Sequence, residues 1–271
     1  MTPHPSLHRI EPGRTVDLAE IDPADTSAAP GGKEATKAAS WAQAVRLAEL
    51  QDLLWARRQE RLLVVLQGTD TAGKGGTIRR VFGAVNPAGL RVVSFQAPTR
   101  AELERDYLWR VHAEVPAAGE IGVFDRSHYE DVLVARVEGL VPEAVWQRRF
   151  DHINAFERML VDEGTTIVKV FLHISRDEQA ERLAARLADP TKRWKLRPDD
   201  LVARRRWDDY QRAYAEAITR TSTEHAPWYV VPADRKWYRT WAVAAIVIEV
   251  LERMGLRWPD PHLDLRDLDL R

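Results

Sequence analysis

The chain has 271 residues, near the upper end of what one hydrophobic core serves, so one large domain with an appendage is expected rather than two equal domains. With 40 basic and 41 acidic side chains the net charge is −1, which excludes the global positive field of a general nucleic-acid binder and leaves any polyanion to a local patch. The absence of cysteine excludes disulfides, thiolate metal sites and a cysteine nucleophile, and fits a reducing cytoplasm.

Residues 1–33 carry Pro3, Pro5, Pro12, Pro23 and Pro30 and the pair Gly31-Gly32, which predicts an extended arm. No apolar signal region opens the chain between Met1 and Arg14. From Glu34 to Arg58, Ala44, Leu47, Leu50 and Leu54 recur at helical spacing and predict an amphipathic helix. Arg61 to Gln67 is a continuous apolar run stopped by Gly68, the pattern of a buried strand. Arg91 to Phe95, Glu120 to Phe124, Thr166 to His173 and Trp228 to Pro232 repeat that pattern. Helical patterns separate these runs at Ala101 to Glu114, Val141 to Glu163 and Arg176 to Ala188, and a last helix spans Trp237 to Met254. Alternating strands and helices predict an α/β fold, an αβα sandwich of about five parallel strands filling residues 34–271 as a single domain. The longest apolar stretch, Ala242 to Ile248, is far short of the ~20 residues that span a bilayer, so no membrane contact is expected.

The first strand runs into Gly68-Thr-Asp70-Thr-Ala-Gly73-Lys74-Gly75-Gly76-Thr77, with the Gly-x-x-x-x-Gly-Lys spacing of a P-loop. Its glycines let the backbone turn its N–H groups inward onto phosphate oxygens, and the helix that follows adds its positive N-terminus. Lys74 is the point charge for the outer phosphates. The plainer reading is a glycine-rich turn, but the match lies between a buried strand and a helix, where the mechanism needs it. Gly75 stands where a P-loop has the Ser or Thr that holds Mg²⁺, so the metal needs other oxygens, and Asp70 inside the loop is the candidate.

The run Glu120 to Phe124 ends in Asp125-Arg126-Ser127. An acid ending a buried strand after a P-loop strand is a Walker B arrangement, with Asp125 on the metal and Arg126 clamping phosphate. The plainer reading of Asp125, an N-cap for the next helix, is the lesser one, and the two roles are compatible. Arg110 and Arg136 lie on the flanking helices, where a solvated role competes with phosphate binding. His128 reads as a hydrogen-bonding or structural histidine, because transfer between phosphates starts from an oxygen already anionic.

Before the last strand lie Arg182 and Arg186, four apart and so on one helix face, then Asp189-Pro190-Thr191-Lys192-Arg193-Trp194-Lys195 and Arg204-Arg205-Arg206. A helical lid over residues 176–216, closing on phosphates through Arg182 and Arg186, competes with a solvated basic helix interleaved with Asp199, Asp200, Asp208 and Asp209. For Arg204 to Arg206 the solvated reading is preferred.

These segments together resemble the polyphosphate kinase type 2 family over nearly the whole chain. The resemblance rests on the loop at 68–77, Phe-Asp-Arg-Ser-His-Tyr-Glu-Asp-Val-Leu-Val at 124–134, Asp-Pro-Thr-Lys-Arg-Trp-Lys at 189–195 and Ala-Pro-Trp-Tyr at 226–229. It implies a thymidylate-kinase-like P-loop kinase fold and Mg²⁺, with Mn²⁺ as a substitute. It also implies inorganic polyphosphate and nucleoside mono- or diphosphates as substrates, and a homo-oligomer, tetramer or dimer. By the same resemblance Asp70 and Asp125 are the metal and positioning acids. Lys74, Arg126, Arg110 and Arg136, with Gly73, Gly75, Gly76 and Thr77 of the loop, hold phosphate; Arg182, Arg186, Lys192 and Lys195 take lid positions. The 124–134 segment and the arm resemble the group acting on both AMP and ADP, whereas Asp125 and Gly75 lean toward ADP-preferring relatives. The rival readings are an ATP-dependent nucleotide kinase of the thymidylate-kinase type and a non-catalytic nucleotide sensor, which would need Lys74 but not both acids and the lid.

Overall fold

A computed structural model describes residues 6–260 except Arg197. Residues 1–5 and 261–271, and the side chains of Pro198, Asp199 and Asp200, lie outside the described residues. In chain order the elements are β1 (Arg9–Ile10), α1 (Lys33–Arg57), β2 (Arg61–Gln67), α2 (Lys74–Val81), β3 (Leu90–Ser94), α3 (Arg100–Leu103), α4 (Trp109–His112) and β4 (Ile121–Asp125). There follow α5 (Val134–Val137), α6 (Glu143–Asp162), β5 (Thr165–His173), α7 (Arg176–Ala188), α8 (Pro198–Arg205), α9 (Trp207–Thr221), β6 (Trp228–Pro232) and α10 (Lys236–Arg253).

The strands form one sheet in the order β1-β6-β5-β2-β4-β3, parallel throughout except at β1. Side chains of β2 alternate between two cores, as a strand's period of two requires. Leu62, Val64 and Leu66 pack with Leu47, Leu50 and Leu54 of α1 and with Val243, Ile246 and Val250 of α10. Leu63 and Val65 pack on the other face with Phe150 and Ile153 of α6 and Ala217 and Ile218 of α9. Helices on both faces explain why the inner strands read as unbroken apolar runs. No helix among the described residues is long and apolar enough to cross a membrane.

Three segments depart from the sequence reading. Residues 6–33 are packed rather than extended: β1 pairs antiparallel with β6, and Ile10, Val16 and Leu18 are buried in the α6/α9 core. The helix expected over Ala101 to Glu114 is broken into α3 and α4, where the Asp106 carboxylate accepts from the N–H groups of Leu108 and Trp109, both at 3.0 Å, and holds the chain in a turn ahead of α4. Within the expected lid, α9 belongs to the body, since Ala213, Tyr214, Ala217 and Ile218 are core residues.

A charged network is sealed beneath the turn that follows β4. Lys169, in the middle of β5, donates to Glu157 of α6, to the Tyr129 hydroxyl at 2.9 Å and to the Thr221 carbonyl at 2.7 Å. Lys169 and Glu157 are 0% and 1% exposed, so removing one charge strands the other. Lys169→Met is expected to destabilise the protein by about 3–5 kcal/mol in urea denaturation, and the double change with Glu157→Leu to restore much of that loss. A single variant as stable as the parent would mean that the pair is not what holds these elements together.

Candidate active site

The loop after β2 is shaped by backbone that most side chains disfavour. Gly68 has φ +154°, and a Cβ there would sit 2.9 Å from the Ala72 Cβ and 3.0 Å from the Leu172 carbonyl oxygen. At Gly73, φ is +102°, which strains any larger residue, and a Cβ would fall 2.0 Å from Nη1 of Arg239, so that guanidinium would also have to move. Thr71, a β-branched residue, is held at φ +68°, and Arg126 at the end of β4 is held at φ +63°. Such strain clusters where the surrounding structure fixes a functional geometry. The Lys74 ammonium turns back along the loop and donates to the Gly68 carbonyl at 2.8 Å. Burial, and next the charge of Arg126, pull its pKa below the ordinary lysine value, while Asp125, Asp70 and Glu130 oppose the shift.

Parallel pairing of β2 with β4 sets Leu66 beside Asp125, which delivers both acids to the same end of the sheet. The Arg126 guanidinium donates to Asp70 at 2.7 Å. Burial works against the charge of Arg126, but Glu130 and Asp70 outweigh it and hold the guanidinium above its ordinary value. Asp125 is the last residue of β4 and not a helix cap; the cap is Ser127, whose hydroxyl accepts from the Tyr129 N–H at 3.2 Å. A Cβ built at Gly75 would lie 3.9 Å from Oδ2 of Asp125, so this carboxylate stands beside the position where a P-loop usually carries its hydroxyl.

A cleft of ≈ 500 Å³ gathers much of the predicted set: Asp70, Gly73, Lys74, Gly75, Gly76, Asp125 and Arg126, with Arg186 and Lys195 from the lid side. Five predicted phosphate ligands are placed otherwise. The Thr77 hydroxyl is buried and donates to the Gly73 carbonyl of its own helix at 3.1 Å. Arg110 is buried, stacks over Phe95 and donates to the Gln96 carbonyl at 2.8 Å, shaping the rim of the cleft from behind. Arg136 pairs with Glu216 at 2.6 Å and stacks on Trp146, and Lys192 pairs with Asp189 beyond the end of α7; neither lines the cleft.

The fifth is Arg182, whose guanidinium is used up inside the protein. It pairs with Glu178 and donates to the carbonyls of Thr71 and Ala72, each at 2.9 Å, and to those of Ala233 at 2.7 Å and Asp234 at 3.1 Å. It clamps the loop from behind instead of touching phosphate. Arg186, one turn on along the same helix, is the one that lines the cleft.

Two site residues escape the sequence reading. Arg239, at the start of α10, donates to the Ala72 carbonyl at 2.9 Å and lies against Gly73, with its guanidinium lowered to about 10 by burial first and then by Arg182 and Arg80. Glu130 lines a small adjoining cavity of ≈ 50 Å³ that also touches Asp70 and Arg126. Burial pushes the Glu130 carboxyl above its ordinary pKa, with Arg126 and Lys74 opposing. His128 is buried against Glu157 at 3.2 Å, which matches the structural role read for it.

The donor set suits a hard divalent cation. Two carboxylates, Asp70 and Asp125, open on the cleft, and no group of three or more His, Cys, Asp or Glu poised around a metal occurs among the described residues. Mg²⁺ is ordinarily held this way, by one or two carboxylates with substrate phosphates and water completing its shell.

Comparison with known proteins agrees with this architecture. Residues 31–257 match the family Polyphosphate kinase 2 (PPK2). The chain is 57% identical over 255 residues to the AMP/ADP-polyphosphate phosphotransferase of Meiothermus ruber, covering 94% of this chain and 96% of that one. It is 40% identical over 268 residues to the ADP-polyphosphate phosphotransferase of Rhodopseudomonas palustris, covering 93% and 91%. The crystal structure of polyphosphate kinase 2 from Arthrobacter aurescens TC1 superposes with a TM-score of 0.92 at 49% identity, over 96% of this chain and 92% of that chain. With a P-loop kinase fold, the loop and the second acid in one cleft, and these likenesses spanning nearly its whole length, the chain belongs to the polyphosphate kinase 2 family.

Proposed function

We propose that this protein moves phosphoryl groups between inorganic polyphosphate and nucleoside phosphates in the cytoplasm, converting ADP to ATP and also AMP to ADP. The observation that carries the reading is the single cleft in which Lys74, both acids, Arg126, Arg186 and Lys195 face one volume. Such cations neutralise the charge spread over a transferring phosphoryl group, and most of the catalysis in phosphoryl transfer is of this positioning and electrostatic kind. An oxygen of the acceptor phosphate, already anionic, attacks the terminal phosphorus of the chain, and the shortened polyphosphate leaves with the bonding pair. No general base is required, in keeping with the burial of His128.

Asp70 and Asp125 would hold Mg²⁺, or Mn²⁺ in its place, and the ion would supply charge neutralisation on the phosphate oxygens. Asp70 also orients Arg126 through their ion pair. The names of the two relatives support ADP as an acceptor, and one of them supports AMP as well. A homo-oligomer, tetramer or dimer, belongs to the same reading.

The test offers purified protein, with Mg²⁺, each of AMP, ADP, GMP and GDP with either polyphosphate or ATP as donor. Polyphosphate alone is expected to support ATP formation from ADP. Use of ATP as the sole donor would instead establish a nucleotide kinase.

A further inference from the structure

The turn after β4 divides its residues between two surroundings. Asp125 and Arg126 line the cleft, and Arg126 and Glu130 line the small cavity beside it. Ser127, His128 and Tyr129, which lie between, are buried. The Arg126 N–H donates to the Leu66 carbonyl at 3.1 Å, and the Ser127 hydroxyl accepts from the Gln67 amide at 3.2 Å. Gln67 is the last residue of β2, so these two bonds tie the turn to the base of the phosphate loop. Toward the core, the Tyr129 hydroxyl donates to Glu157 at 2.8 Å and accepts from Lys169 at 2.9 Å. His128 meets the same Glu157 oxygen at 3.2 Å. The Tyr129 ring packs edge-on against Trp228, with centroids 4.7 Å apart.

Arg126 holds φ +63°, a backbone region that a residue with a side chain keeps only where its surroundings force it. Those surroundings lie on both sides: Leu66 and Gln67 toward the loop, Glu157 and Lys169 toward the core. The core side is an unusual choice. A buried ion pair is often matched in stability by apolar side chains of the same volume, so stability alone does not account for Lys169 in the middle of an apolar strand. Apolar side chains could fill the space, but they could not pin the Tyr129 hydroxyl to one position by directed hydrogen bonds.

We infer that Tyr129 is a positioning residue for phosphoryl transfer: its hydroxyl, fixed between Glu157 and Lys169, holds the strained turn that aims the Arg126 guanidinium into the cleft. The inference deepens the phosphotransfer reading above and rests on it. Asp70 is the other restraint on Arg126, through their ion pair at 2.7 Å. As the guanidinium turns from Asp70 to a transferring phosphoryl group, the turn is what keeps its aim. Charge held ready in this way acts on the transition state, so its loss belongs in kcat more than in KM.

The experiment measures kcat and KM for ADP and for polyphosphate, with melting curves, on the parent, on Tyr129→Phe and on Glu157→Leu/Lys169→Met. Tyr129→Phe keeps the ring and removes only the hydroxyl. In both variants kcat is expected to fall by roughly tenfold, with each KM within about twofold, at a temperature where both remain folded. The double variant should therefore recover stability without recovering turnover. In an Arg126→Ala background, followed by single turnover with enzyme in excess, Tyr129→Phe should change the rate by less than about twofold, since no guanidinium is left to aim. Parental kcat in Tyr129→Phe, or the same proportional loss with and without Arg126, would overturn the inference and leave Tyr129 a packing residue. Turnover that returns together with stability in the double variant would overturn it as well. Absence of any turnover with polyphosphate in the parent would be a failure of the phosphotransfer reading, distinct from these outcomes.

Discussion

Asp70→Asn is expected to lower kcat/KM for ATP formation from ADP by roughly 10²-fold or more, with little change in thermal stability. The carboxylate has two tasks in one place: it opens on the cleft as one of the two hard oxygen donors, and it accepts from Arg126 at 2.7 Å. An amide of the same shape is a weaker oxygen donor to Mg²⁺ and cannot balance the guanidinium, so a charge-neutralising contact and the aim of Arg126 fail together. The side chain keeps 23% of its exposure, so little packing is lost. Steady-state kinetics across a Mg²⁺ titration, with a melting curve on the same preparation, separates the two effects. Near-parental activity with an unaltered Mg²⁺ requirement would place the metal on other oxygens.

The second large effect separates two arginines one helical turn apart. Arg182→Ala should cost stability as well as activity, by about 3–5 kcal/mol, because it removes a buried cation and strands Glu178 and the carbonyls of Thr71, Ala72, Ala233 and Asp234. Thr71 and Ala72 belong to the phosphate loop, so the loss should also disturb the loop and lower kcat. Arg186 lines the cleft from α7, and Arg186→Ala should reduce turnover with a smaller change in melting temperature than Arg182→Ala. Denaturant unfolding and kinetics on both variants decide the point. A stable Arg182→Ala protein with only raised KM for polyphosphate would return Arg182 to the role of phosphate ligand.

How far the sequence could be read followed from whether the information was local. The parallel strands were legible because helices cover both faces and force continuous apolar runs. β1 was not, since two residues between prolines give no periodicity, and its pairing partner lies at the other end of the chain. The break between α3 and α4 turns on side-chain hydrogen bonds between Asp106 and the backbone two and three residues on, which propensity alone does not expose. In the site, the spacing Gly68 to Lys74 and the strand-terminal Asp125 are short-range patterns, so the amino-acid order alone places both.

The arginines are different. Helical spacing puts Arg182 and Arg186 on one face, but cannot say that the carbonyls behind the loop consume the first and leave the second on the cleft. Arg239 carries no motif at all; the only sign of it is the demand for glycine at position 73, whose cause becomes visible once α10 is packed against the loop. Lys169 hid inside an apolar run, and its partner Glu157 looked like an ordinary residue on a helix.

The most direct test of the central claim is a phosphorus balance, followed by ³¹P NMR, on protein incubated with Mg²⁺, ADP and long-chain polyphosphate, beside a sample lacking polyphosphate. The account predicts one ATP formed for each phosphoryl unit lost from the chain, no matching release of inorganic phosphate, and no early ATP without polyphosphate. ATP appearing at the same rate from ADP alone, with an equal amount of AMP, would show transfer between nucleotides and contradict polyphosphate as the donor.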